Sequence, residues 1–100
     1  MKLTLGEKLL LMRESERLSN RKNAAELLGV TNNCLWRYET GEAIPKGDMI
    51  IKILSHPRFE KYALWFITGK TIPTEGQIAP ALYNPLNYKL TEEHDYEHKR

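Results

Sequence analysis

A group of polar and aromatic side chains follows Gly29, a residue type that favours a sharp turn after a helix. The group consists of Asn32, Asn33, Trp36 and Arg37. An Asn side chain can form two hydrogen bonds with adenine and an Arg side chain two with guanine, on the base edges that face the major groove of DNA. An aromatic ring such as that of Trp can contact a thymine methyl group. These four residues are therefore candidate base contacts, provided that a helix carries them.

A second group could contact the phosphates that flank such bases. Arg21 and Lys22 are cationic and follow Asn20, a residue type that caps helices. The free amides of a helix N-terminus favour phosphate, so these side chains would meet the DNA backbone there. The hydroxyl groups of Thr31 and Thr40 could also contact phosphates, at the two ends of the next helix. Together with the Asn20 side chain, these residues make five predicted phosphate contacts beside the four base contacts.

The segment Asn20–Gly41 has the residue types that a helix-turn-helix requires. Ala25 is small enough to lie where two helices cross, and Gly29 allows the turn between them. Val30 and Leu35 can attach the pair to the rest of the core. In this arrangement the second helix enters the major groove with its first residues towards the bases.

The spacing of apolar residues predicts an all-α fold of five helices, followed by a short extended segment. Thr4 and Glu7 can form a capping box before the first helix. Asp48 is a candidate cap for the fourth helix, and Pro57 suits the first turn of the fifth. The helices are expected at Leu5–Arg17, between a cap at Ser19 or Asn20 and Gly29, at Asn32–Thr40, from Asp48 through Leu54, and from Pro57 to Gly69.

Proline and glycine residues exclude another long helix after Gly69. Gln77–Leu82 is predicted to form one short strand, which Pro80 confines to an edge or to pairing with another chain. The chain is therefore expected to consist of a helix-turn-helix domain at 1–69, a dimerisation segment at 70–88 and a polar, disordered tail at 89–100.

Large apolar side chains in the second half exceed what the interior of so small a domain is expected to hold. A second copy of the chain would cover them, so the sequence predicts a homodimer. The predicted interface residues are Trp65, Phe66, Ile72, Ile78 and Leu82.

Neither the charge nor the chemistry of the chain points to catalysis. The net charge is +2, but residues 1–38 carry seven basic and four acidic side chains, which suits a polyanion such as DNA. No catalytic, cofactor or small-molecule site is expected, and His94 and His98 alone are too few for a metal site.

Cys34 cannot form an intramolecular disulfide and is expected to be partly buried, while Glu39 is expected to bind the backbone or a basic residue. With no membrane span or signal peptide evident, a cytoplasmic location is expected.

The motif residues resemble a known superfamily. The run Ala-Ala-Glu-Leu-Leu-Gly-Val-Thr, continued by Leu-Trp-Arg-Tyr-Glu-Thr-Gly-Glu, is similar to the helix-turn-helix of lambda-repressor/Cro-like proteins. Residues 59–69 and 76–82 resemble the short immunity repressors of P2-like temperate phages. The resemblance implies a lysogeny repressor, dimerisation through the C-terminal half and an operator of two directly repeated half-sites. An antitoxin- or Cro-type regulator with the same domain and a helical protein-interaction adaptor remain alternatives.

Overall fold

The computed structural model describes residues 3–84, which form five α-helices and two short 3₁₀ turns. The all-α class and the number of helices are as predicted. The helices are α1 (Leu5–Ser15), α2 (Arg21–Leu28), α3 (Asn32–Thr40), α4 (Gly47–Leu54) and α5 (Ala63–Thr68), with 3₁₀ turns at Glu60–Tyr62 and Pro73–Glu75.

Local side-chain caps determine where the first three helices begin. Thr4 and Glu7 form the predicted capping box at α1, since each side chain accepts the backbone N–H of the other residue. Asn20 caps α2 by accepting the N–H of Asn23, and Thr31 caps α3. The starts of α1 and α3 are as predicted, and α2 begins after Asn20, the second of the two candidate caps Ser19 and Asn20.

The predicted starts of α4 and α5 are wrong. The cap residue of α4 is Lys46, whose side chain makes no capping bond, and the Asp48 carboxylate accepts the N–H of Met49 inside the first turn. Helix α5 begins at Ala63 because a 3₁₀ turn intervenes, so Pro57 precedes the helix. Helix α1 also ends at Ser15, two residues earlier than predicted.

The main core brings α1 and α2 together with α4 and α5. Its largest fully buried side chains include Met12 of α1, Ile53 of α4 and the aromatic residues around α5. The buried members are Leu9, Met12, Leu28, Ile53, Phe59, Tyr62, Trp65 and Phe66. Burial of this apolar area is the main force that holds the helices together.

The predicted strand at Gln77–Leu82 is absent. Within residues 3–84 the only β pairing is an isolated bridge between Ile72 and Gln77. The Gln77 side chain instead accepts the N–H of Leu64 at 2.9 Å and donates to the carbonyl of Glu60 at 3.1 Å. Gln77 thus satisfies a backbone donor at the start of α5.

The segment after the bridge packs on its own helical domain. Pro80 is fully buried, and the Tyr83 ring meets Trp65 edge-on at a centroid separation of 5.3 Å. Ala79, Pro80 and Tyr83 therefore complete the core of the single chain, whereas most other residues of 70–84 are exposed. The polar tail at 89–100, including His94 and His98, and the end of the predicted dimerisation segment lie outside the described residues.

Within residues 3–84, every helix is too short or too polar to cross a membrane.

Candidate nucleic-acid interface

Helix α3 presents the four candidate base contacts on one solvent-exposed face. Asn32, Asn33, Trp36 and Arg37 are all exposed. Residues at positions i, i+1, i+4 and i+5 of a helix lie within about 140° of arc, so a single groove could receive all four. Other α3 side chains, those of Leu35 and Glu39, are buried.

The turn between α2 and α3 explains why this face is free of the core. Gly29 has a left-handed backbone with φ of 75°, and its N–H bonds to the Ala25 carbonyl. The Val30 N–H reaches the same carbonyl at 2.9 Å. Ala24 and Ala25 are fully buried and form a small cluster with Leu35, so the two helices approach closely. The order of helix, turn and helix and the close packing of α2 on α3 are therefore compatible with the predicted helix-turn-helix.

A close approach between α1 and α3, which the sequence pattern did not predict, fixes the other side of α3. A Cβ atom on Gly6 would lie 2.7 Å from the Glu39 carbonyl oxygen and closer still to that of Tyr38. Only glycine fits at this point of α1. A glycine inside a predicted helix is a signal of close backbone approach, but it does not identify the partner.

A buried ion cluster connects α1, α2 and α3. Arg13 donates to both carboxylate oxygens of Glu39, at 2.7 and 3.0 Å. Its remaining guanidinium nitrogen donates to the carbonyls of Leu18 and Ser19. The Nε of Arg21 donates to the Glu39 carboxylate at 3.1 Å. Glu39 thus binds basic residues, as expected, and the chain between α1 and α2 is held by Arg13.

The five candidate phosphate contacts lie in different environments. Asn20 and Lys22 are exposed at the start of α2, whereas Arg21 is half-buried against Glu39. Thr31 is exposed and its oxygen caps α3. The Thr40 hydroxyl donates to the carbonyl of Trp36 at 2.9 Å. A hydroxyl has one proton, so Thr40 in this conformation has none to donate to a phosphate.

A cleft of about 480 Å³ separates α3 from the start of α4. Arg37 and Lys46 line it together with Cys34, Tyr38 and Asp48. The neighbouring Cys34 thiol and partial burial raise the pKa of the Tyr38 hydroxyl. Cys34 is partly buried as expected, and Lys46 is a basic residue near the exposed face of α3 that the sequence analysis did not select.

The candidate dimer residues divide into two groups. Trp65 and Phe66 are each only 1% exposed, because they pack in the core of the single chain. They are therefore not available for the dimer interface in which they were predicted. Ile72, Ile78 and Leu82 are exposed, at 47%, 38% and 56%. The sequence pattern identified all of these side chains as apolar, but it did not show that residues 80–83 cover Trp65.

These features define a small all-α protein in which α2 and α3 form a helix-turn-helix with an exposed second helix. No family model matches the chain. It is 49% identical over 79 residues to "Repressor protein C" of Escherichia phage P2, a match that spans 79% of each chain. The chain belongs to the family of phage repressors that this protein represents. It is accordingly a regulatory protein of the phage repressor type, as the resemblance implied.

Proposed function

We propose that the chain is a sequence-specific DNA-binding repressor that maintains phage lysogeny as a homodimer in the cytoplasm of the bacterial host. The exposed face of α3, which carries Asn32, Asn33, Trp36 and Arg37, is the observation that carries this proposal. Helix α3 lies in the major groove of the operator, and the buried side chains of Leu35 and Glu39 hold it on the domain.

The four exposed side chains of α3 contact different bases in the operator. Asn32 and Asn33 belong to the first turn of α3, which approaches the base edges most closely, and each can pair with an adenine. Arg37 lies one turn further along the same face and suits a guanine. Trp36 is 39% exposed despite its large apolar ring, which supports a contact with a thymine methyl group.

The start of α2 contacts the DNA backbone. Lys22 supplies an exposed positive charge, and the Asn20 amide retains its N–H donors because only its oxygen is used in capping. Arg21 adds a second cation, and the exposed Thr31 begins α3 nearby. Such contacts set the register of the protein on the duplex, and their strength falls with salt.

A second copy of the chain covers the exposed apolar residues that follow α5. These are Ile72, Ile78 and Leu82, and Ile67 near the end of α5 is a further exposed apolar residue, at 61%. Fully burying an exposed Ile or Leu side chain is worth about 1.5–3 kcal/mol, and about half of that remains to be gained for side chains that are half-exposed. A dimer would place two α3 helices at the two half-sites of one operator, which raises both affinity and specificity.

Selection of duplexes from a random pool by the purified protein tests the proposal. The selected duplex and a random duplex of equal length are then compared in a mobility-shift assay in rising salt. Asn33→Ala should weaken binding to the selected duplex by about 1–3 kcal/mol and relax the preference at one base pair. Lys22→Ala should weaken both duplexes equally and flatten the salt dependence.

Lys70→Ala is the matched control, because Lys70 is an exposed cation outside the helix-turn-helix; since Lys70 borders the proposed dimer surface, sedimentation verifies that this variant has the oligomeric state of the wild type. It should bind both duplexes as the wild type does. A wild-type protein that binds neither duplex would refute DNA binding and favour the protein-interaction adaptor. Selective binding that Asn33→Ala leaves unchanged would show that another surface reads the bases.

A further inference from the structure

Glu39 holds two arginine residues with one carboxylate, and the two arginines differ in their environment. The side chains of Arg13 and Glu39 are 6% and 3% exposed, whereas that of Arg21 is 33% exposed. Arg13 matches both carboxylate oxygens, so the pair that it forms with Glu39 is neutral and buried. The cluster keeps one surplus positive charge, which lies on Arg21 at the surface.

The bond from Arg21 to Glu39 uses only the Nε of the guanidinium group. Within residues 3–84 the two Nη groups of Arg21 have no hydrogen-bond partner. A guanidinium group is planar, so a bond at Nε fixes the orientation of the four N–H donors on its Nη atoms. Arg21 is the first residue of α2 and follows the cap Asn20, at the helix end where phosphate binding is favourable.

We propose that Glu39 is a positioning residue for DNA binding: it orients the Arg21 side chain so that its Nη groups meet a phosphate of the DNA backbone. This inference rests on the proposed DNA-binding function. A flexible arginine loses rotamer freedom when it binds a phosphate, and one that is already held loses less. Because Arg13 neutralises the carboxylate, Glu39 can hold Arg21 without cancelling its attraction for the phosphate. Glu39 thereby fixes the position of the Arg21 phosphate contact relative to helix α3, which contacts the bases.

Salt-dependent DNA binding by single and double variants tests this role. The probes are the duplex selected by the wild-type protein and a random duplex of equal length, and circular dichroism verifies that each variant is folded. Arg21→Ala should weaken binding about tenfold and reduce the slope of log K against log salt by about 0.9, as expected for one lost phosphate contact. Glu39→Gln should weaken binding about three- to tenfold on both duplexes while the slope stays at the wild-type value, because the charge of Arg21 remains.

The double variant separates positioning from a general structural role. If Glu39 acts through Arg21, Glu39→Gln should cause less than about a twofold further loss in the Arg21→Ala background. Lys22→Ala is the matched background, since Lys22 is the neighbouring exposed cation. There Glu39→Gln should retain its full effect. The proposal would be overturned if Glu39→Gln reduced DNA affinity equally in the Arg21→Ala and Lys22→Ala backgrounds. A loss of affinity for the selected duplex alone would also overturn it. Either result would show that Glu39 acts through α3 alone.

If Glu39→Gln does not fold, Arg21→Lys provides a second test of the positioning role. Arg21→Lys keeps the charge but lacks the planar fork that can contact a carboxylate and a phosphate together. It should bind both duplexes about three- to tenfold more weakly with an unchanged salt slope. Wild-type affinity in Arg21→Lys would refute the positioning role. Failure of the wild-type protein itself to bind either duplex would refute the proposed function, and this inference with it.

Discussion

Replacing Gly6 by alanine should destabilise the protein, although alanine is the better helix former. Gly6 lies in the first turn of α1, where alanine would contribute up to about 1 kcal/mol in helix propensity. The new Cβ would lie 2.7 Å from the Glu39 carbonyl oxygen and closer to that of Tyr38. Both neighbours are backbone atoms, so no side-chain rotation can relieve the contact.

The size of the effect follows from the displacement that the methyl group requires. An ordinary carbon–oxygen contact is about 3.5 Å, so α1 and the end of α3 must separate by about 0.8 Å or more. Misfit of this size in a packed interior typically costs about 1–3 kcal/mol. The expected net result for Gly6→Ala is a free energy of unfolding about 1–2 kcal/mol below that of the wild type, since part of the cost is offset by propensity.

Urea unfolding followed by circular dichroism measures this difference. Gly47→Ala is the matched control, because Gly47 is also in the first turn of its helix and a Cβ there meets no atom within 4 Å. That variant should be as stable as the wild type or more stable. If Gly6→Ala behaved as Gly47→Ala does, the close approach of α1 to α3 would not be a constraint on the fold, and the reasoning would be refuted.

Further predictions concern a capping contact, an acid-sensitive cluster and the apolar surface. Gln77→Ala should lower the thermal midpoint by the equivalent of about 1 kcal/mol, since α5 loses its cap, while the exposed neighbour Thr74→Ala should not. Burial raises the pKa of the Glu16 carboxyl, but hydrogen bonds from Lys61, Tyr62 and Arg58 together outweigh it, so that Glu16 has a pKa below 4.5. Its stabilising contribution is therefore complete above pH 4.5 and is lost as pH falls through the lowered pKa, so unfolding midpoints should depend less on pH below 4.5 in Glu16→Gln than in the wild type. If the proposed dimer forms through this surface, Ile78→Asp should convert it to monomers in sedimentation experiments, whereas Ile51→Asp, at an exposed position of α4, should not; a dimeric Ile78→Asp protein would contradict the proposed interface.

The interface prediction is better tested by such point substitutions than by deletion. Removing the chain after Gly69 would also remove Gln77 from the start of α5, together with Pro80 and the Tyr83 ring that packs on Trp65. A shortened chain would therefore lose part of its own core. Its behaviour would not report on the apolar surface alone.

The sequence by itself determined the features whose causes are local. Caps such as Asn20 and Thr31 act within three residues, and Gly29 and Gly41 end their helices through their own left-handed backbone. Helical periodicity was likewise sufficient to place Asn33 and its neighbours on an exposed face of α3. The class of fold and the place of the helix-turn-helix could therefore be predicted from the sequence.

The tertiary structure decided everything that depends on contacts between distant parts of the chain. Arg13 and Glu39 are 26 residues apart, and no local pattern shows that one carboxylate serves this arginine and Arg21. The same limit explains the error at Trp65: periodicity showed an apolar side chain, but only packing showed that the chain's own segment near Tyr83 covers it. An amino-acid pattern shows which surfaces must be buried, whereas the partner of each surface is selected by how the whole chain packs.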